Sequence, residues 1–444
     1  MSQTVHSPQT PTSYEDAPLC ALHKKVIAGG MLGQFSDGYI LGSIGISMSL
    51  ATTALALDSW WLGLIGAASL VGLMVGSFFM GPIADRIGRK PIFCTTMVVF
   101  TVASIMQFFV ESASQLFILR LILGLALGAD YAVGLTIVSE WSPARLRPRI
   151  LSTLMIMWVS GYVSAYITGY FLQFIGDGSW RVILLSCAVP SALAMYVRLG
   201  TPESPSWLIS KGKGYKAEEL VHKFIGAQYS LPGDLNATPQ KTSWSMLFSP
   251  QWKKNAIVGG TFFACQVIPY FSLSIFLPQI FKQLGMENPY ASGIVFNLFL
   301  FMGVLVGTWL IDKISRRSFL ISSFYICALA LGLLMVYSGS TLWSLACISV
   351  FSFTISAASV LEFAYQPELF NAELRASGVG FCVACSRVGG AGGTFFPAAH
   401  RDGMAGYLRR PGRLCGGPGD RWLRLPEDGS GDPSRKAGAC LTTP

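Results

Sequence analysis

The chain has 444 residues, 52% of them hydrophobic and only 12% charged, with a mean hydropathy of +0.51. A soluble chain carries about 25% charged residues, so a soluble globular fold is excluded and a helical integral membrane protein is expected. The formal net charge of +9 implies no nucleic-acid partner, because the basic residues sit in short loops between apolar runs, as membrane topology demands.

Residues 1–24, opening MSQTVHSPQTPTSYEDAPLC, are polar, lack the apolar core of a signal peptide and read as a disordered cytoplasmic tail. Apolar runs able to cross a hydrocarbon layer ~30 Å thick follow at 26–50, 60–80, 91–110, 115–138, 152–174 and 181–199. A cytoplasmic central loop, 201–254, separates this first bundle (25–200) from a second (255–399) with spans at 255–280, 290–311, 318–338, 342–364 and 377–399. Basic residues cluster in alternate loops: Lys24 and Lys25, Arg86/Arg89/Lys90, Arg145/Arg147/Arg149, the lysines of the central loop, Lys313/Arg316/Arg317, and Arg375. This alternation predicts a cytoplasmic N-terminus.

The second bundle repeats the first. Glu140-x-x-Pro143-x-x-x-Arg147 after the fourth span returns as Glu368-x-x-Asn371-x-x-x-Arg375 after the tenth, and Asp85-Arg86-x-x-Arg89-Lys90 returns as Asp312-Lys313-x-x-Arg316-Arg317. Parallel repeats of six helices are implied, facing each other across a midplane cavity. The sixth span should then have a partner near 409–428, but RRPGRLCGGPGDRWLRLPED cannot span a membrane. We expect the twelfth helix to be lost through a frame or gene-model shift near Ala399, leaving an atypical Gly/Arg/Pro-rich tail at 400–444. A native cytoplasmic tail is the alternative, although after eleven spans it would fall on the periplasmic side.

The stretch GPIADRIGRKP (81–91) reads as a tight loop between the second and third spans. It resembles the G-x-x-x-D-R-x-G-R-K loop of major facilitator superfamily transporters. E-x-x-P-x-x-x-R at 140–147, PESPSWL at 202–208 and PELFNAELRASGVGF at 367–381 resemble the sugar porter and metabolite–proton symporter branch, although Ser206 stands where that branch carries Arg. The resemblance implies an all-α membrane protein of the major facilitator fold. It further implies a monomeric bacterial inner-membrane carrier that takes up a small polar metabolite, sugar or organic acid, with a proton as coupling ion and no cofactor. It implies no enzyme activity, and no P-loop or catalytic Ser/His signature occurs. Cys382 and Cys385 are spaced like a metal pair, but no second pair accompanies them, so no metal is expected. A proton-independent facilitator and a non-transporting truncated or receptor-like relative are the alternatives.

Charges inside the spans are costly and mark candidate sites. Asp37 lies about 15 Å into the first span. With Arg120 of the fourth it resembles the Asp–Arg pair of proton-coupled sugar porters; a static pair holding two helices is the alternative. Asp130, deeper in the fourth span, is a second proton site or the partner of a basic group. Arg387, near the middle of the eleventh span with no local acid, suits a substrate carboxylate or several hydroxyls, unless Asp37 or Asp130 takes it. Gln266 and Tyr270, one turn apart in the seventh span, are placed as sugar porters place ligand contacts, and Pro269 between them should break the helix. Trp158 and Tyr162 read as packing residues, and Glu362 as reaching either water or a site. Gly81, Asp85, Arg86, Arg89, Glu140 and Arg147 are expected to latch the cytoplasmic face, with Asp312, Arg316, Glu368 and Arg375 repeating that latch in the second half.

Overall fold

The computed structural model describes residues 12–231, 244–311, 313–337, 340–370 and 375–399. Apolar runs become helices because hydrocarbon offers the backbone no partner. In chain order they are α1 (Ala21–Ala54), α2 (Ser59–Ile87), α3 (Arg89–Phe108), α4 (Ala113–Trp141), α5 (Arg147–Leu172), α6 (Ser179–Ser186), α7 (Ala188–Arg198), α8 (Pro205–Ser210), α9 (Gly214–Phe224), α10 (Lys253–Ile275), α11 (Leu277–Gln283), α12 (Pro289–Leu310), α13 (Arg316–Val336), α14 (Thr341–Glu368) and α15 (Arg375–Ala399). Two short strands, β1 (Thr12–Ser13) and β2 (Tyr229–Ser230), accompany them. Asp58, Ser112, Asn288 and Ser315 cap α2, α4, α12 and α13 by accepting a hydrogen bond from a first-turn N–H.

Among the described residues nine segments are long and apolar enough to cross a membrane, α6 and α7 forming one of them. Of the other two expected spans, α1 and α15 have 34 and 25 residues, about 51 and 37 Å of helix. They exceed the hydrocarbon thickness but carry the polar and glycine residues of the bundle interior. The loop expected at 81–91 is smaller than the sequence suggests. α2 runs on to Ile87, and the chain turns at Gly88, whose φ of 112° is readily open only to glycine.

The repeat is visible in the packing. α1 pairs with α5 and α2 with α4; α10 pairs with α15 and α12 with α14. Gly124 and Gly128 of α4 meet the α2 backbone at Ser69, Gly72 and Leu73, and Gly303 and Gly307 of α12 meet the α14 carbonyls of Phe353 and Ala357. Small residues are what allow such backbone approach in a membrane. The halves join through α2 with α15 and α5 with α12. On the face opposite the first turn of α1, Ser49 bonds the Tyr290 hydroxyl at 3.1 Å and Trp60 meets Phe395 edge-on at 5.1 Å between ring centroids.

Residues 12–17 are not the disordered tail expected. β1 pairs in parallel with β2, and Tyr14 is buried among Leu208, Ala217, Val221 and Leu231. α8 and α9 supply a small apolar core that the tail's one aromatic ring completes. Residues 1–11, 232–243 and 400–444, the last including the region of the expected twelfth helix, lie outside the described residues.

Candidate functional site

A small cavity, partly open, lies between the halves. α4 contributes Tyr131, α5 Met155, Trp158 and Val159, and α10 Gln266, Val267, Tyr270 and Phe271; α14 adds Ile355, Ser356, Ser359 and Glu362, and α15 adds Arg387. The structure thus brings together the three expected substrate contacts, Gln266, Tyr270 and Arg387. Trp158 stacks on Tyr162 at 5.7 Å, and Tyr270 closes on both at 6.3 and 5.9 Å. Trp158, expected only to pack, therefore forms a cavity wall. Tyr131, Ser356 and Ser359 were not singled out in the sequence; their one signal is a polar residue on an inward helix face. Pro269 removes one N–H from the ladder, but α10 continues through it to Ile275, so the expected break is absent.

The cavity's polar atoms are incompletely satisfied. Gln266 Nε2 and Oε1, the Tyr270 hydroxyl, Ser356 Oγ and Arg387 Nε are buried without a hydrogen-bond partner among the described residues. Each such atom costs about 1–3 kcal/mol unless water or a ligand engages it. The Arg387 guanidinium lies over the rings of Tyr131 (5.3 Å) and Phe263 (5.8 Å) and hydrogen-bonds the Tyr131 side chain, a cation–π setting that leaves its Nε–H for an anion. Glu362, on the same cavity wall, is the local acid the sequence did not place beside it.

Four more charged side chains are buried within the first bundle. Asp37, Arg120, Asp130 and Arg198 are each at most 1% exposed. Asp37 and Arg120 do not form the expected pair. Arg120 donates to the Ile40 carbonyl (3.0 Å) and the Ser43 hydroxyl (3.5 Å), about one helical turn beyond Asp37, whose carboxylate, among the described residues, receives only Gln34 Nε2 at 3.4 Å. Asp130 has the cation instead: Arg198 binds it through both Nη atoms, Nη2 to Oδ2 at 3.0 Å, and Thr96 Oγ1 donates to Oδ1 at 2.8 Å. Arg198 was missed in the sequence because an arginine in the last turn of a span resembles an ordinary topology charge.

On the face carrying the first turn of α1, Arg89 and Glu140 form the expected ion pair. Glu140 also accepts from the Ser204 hydroxyl, and Glu203 accepts from the backbone N–H groups of Arg89 (3.0 Å) and Lys90 (3.1 Å) at the start of α3, where the helix dipole favours a carboxylate. Arg147 departs from expectation. It pairs with Glu15 at 2.9 Å rather than with Glu140, because residues 12–17 fold across the α4–α5 turn. Arg86 is exposed, and Arg316 donates to the Ile311 carbonyl. Asp312, the surroundings of Gly81, and the side chains of Asp85, Glu368 and Arg375 lie outside the described residues.

Residues 21–408 match the family described as "Sugar (and other) transporter". The chain is 35% identical over 382 residues, 86% of either chain, to the inner membrane metabolite transport protein YgcS of Escherichia coli K12. It is 27% identical to the niacin transporter NiaP of Acinetobacter baylyi, over 85% of this chain and 87% of that one. Its fold superimposes on the xylose transporter XylE of E. coli in a partially occluded inward-open conformation, with a TM-score of 0.71 at 17% identity, covering 85% of this chain and 91% of XylE. This is a multi-pass metabolite carrier, not an enzyme, and it belongs to the sugar (and other) transporter family of the major facilitator superfamily.

Proposed function

We propose that this carrier takes up a small planar organic acid together with a proton, by alternating access in a bacterial inner membrane, with its N-terminus in the cytoplasm and acting as a monomer. The observation that carries this reading is the cavity itself. One cation, Arg387, stands with an unpartnered Nε among aromatic walls built by Tyr131, Trp158 and Tyr270. A carboxylate suits the guanidinium, a ring suits the walls, and the Gln266 amide can bond a ring heteroatom or substituent. Similarity to a niacin transporter supports a carboxylated ring. Asp37 is the proton carrier in this reading, and the Arg89–Glu140 cluster is the cytoplasmic latch. Likeness to proton:xylose symporters and the Gln266 amide favour a sugar as the second reading.

The test is uptake into proteoliposomes under an imposed pH gradient, with labelled nicotinate and xylose as probes. Nicotinate accumulation that collapses with the gradient supports the proposal, while xylose accumulation alone selects the sugar reading. Asp37→Asn should abolish accumulation and retain exchange. Accumulation that survives this substitution sinks the proton role and leaves a proton-independent facilitator.

A further inference from the structure

Of the four buried charges, Asp37, Asp130 and Arg198 form one cluster of two carboxylates and one guanidinium, while Arg120 of α4 lies about a helical turn farther along α1, bonded to the Ile40 carbonyl and the Ser43 hydroxyl. Arg198 is fully engaged: Nε donates to the Gly29 carbonyl at 3.0 Å, Nη1 to the Phe93 carbonyl at 2.7 Å, and both Nη atoms to Asp130, while its carbon centre lies 3.7 Å over the Phe93 ring. Glycine makes the niche possible, since a Cβ at Gly33 would collide with Arg198 Nη2. Asp37, by contrast, has one long bond from Gln34, and its Oδ1 is buried without a partner. The groups facing it are Asp130 and Tyr131 of α4 and Arg198 of α7. α5 presents Trp158 against the neighbouring Gly38, and Thr96 and Cys94 of α3 lie behind Asp130 and Arg198.

We infer that Arg198 is the positioning residue that decides which carboxylate carries the proton: it satisfies both oxygens of Asp130 and leaves Asp37, with an unpartnered oxygen, as the one that takes it up. With both acids ionised the cluster bears one uncompensated negative charge inside the bilayer, a state of high cost. One proton from water, forming an O–H bond at Asp37, brings it to neutrality, and the same bond breaks on release. The inference rests on the proton role of Asp37 proposed above and adds the residue that selects Asp37 over Asp130.

Infrared spectroscopy of the full-length protein in maltoside detergent, in an E362Q background, reads protonated buried carboxyls without any substrate. At neutral pH one carboxylic-acid band is expected. It should shift in D37E, where a glutamic acid carries the proton, and stay in place in D130E. It should vanish in D130N, because Arg198, left without its acid, then compensates Asp37, and it should return in D130N/R198M, where that charge is gone and the neutral pair folds without a stranded ion. A shift in D130E instead of D37E, or a band that persists in D130N, overturns the inference. Proton-linked uptake, measured separately in vesicles, distinguishes this outcome from failure of the transport reading: bands that behave as expected without such uptake overturn the transport reading alone.

Discussion

Arg198 and Arg387 are the same residue in the same kind of place, a buried position inside a helical bundle, and they do opposite things. Arg198 spends its donors on an aspartate and two backbone carbonyls and presses its face on a phenyl ring. Arg387 rests on two rings with an unpartnered Nε and looks into a cavity. A saturated guanidinium is part of the structure, whereas one with donors to spare is a receptor. Arg120 stands between them, bonded to one carbonyl and one hydroxyl with its Nε left over.

The largest expected effect follows from stranding a charge. Arg198→Ala leaves Asp130 buried without its cation and should cost about 3–5 kcal/mol of stability, visible as a large fall in apparent Tm in detergent. A Tm close to wild type shows that the pair is not structural. Gly33→Ala should act in the same direction by driving a methyl into the guanidinium, and Arg198 and Gly33 substitutions together should cost less than the sum of each alone, since they disrupt one niche. Arg387→Ala, made in an E362Q background so that no acid is stranded, should behave in the contrary way, leaving the Tm of that background nearly unchanged while weakening the bound acid roughly 10- to 100-fold, the worth of a hydrogen bond to a charge; quenching of Trp158 fluorescence by nicotinate measures it. If Arg387→Ala unfolds the protein as Arg198→Ala does, the contrast between the two arginines fails. The smallest effect belongs to Glu15→Ala, which removes a half-exposed ion pair with Arg147 worth about 0.2–1 kcal/mol and should lower the Tm by no more than a few degrees. A far larger drop in Tm makes the N-terminal strand essential to the fold rather than a strap across the α4–α5 turn.

Much of the molecule is legible in the sequence. The spans, the repeat, the intramembrane residues Asp37, Asp130 and Arg387, and the Arg89–Glu140 pair all came from hydropathy, periodicity and motif. The readings that failed concern partners. Asp37 with Arg120 was a reasonable pairing that the fold declined by about one turn, and Arg147, expected in one latch with Glu140, is taken instead by Glu15 of the N-terminal segment. Arg198 stayed hidden because nothing in SALAMYVRLGTP tells whether the last arginine of a span points to water or turns inward between α1 and α3.

The sequence by itself located the apolar segments, showed that its halves are copies, and marked the charges that lie deep within the spans, because hydrocarbon thickness and the cost of a buried charge act on each segment separately. Tertiary structure alone decided which acid meets which arginine and which polar atoms are left facing a cavity. Those outcomes depend on distances of a few ångströms between helices far apart in the chain, set where glycines such as Gly33, Gly124 and Gly303 let backbones and side chains approach.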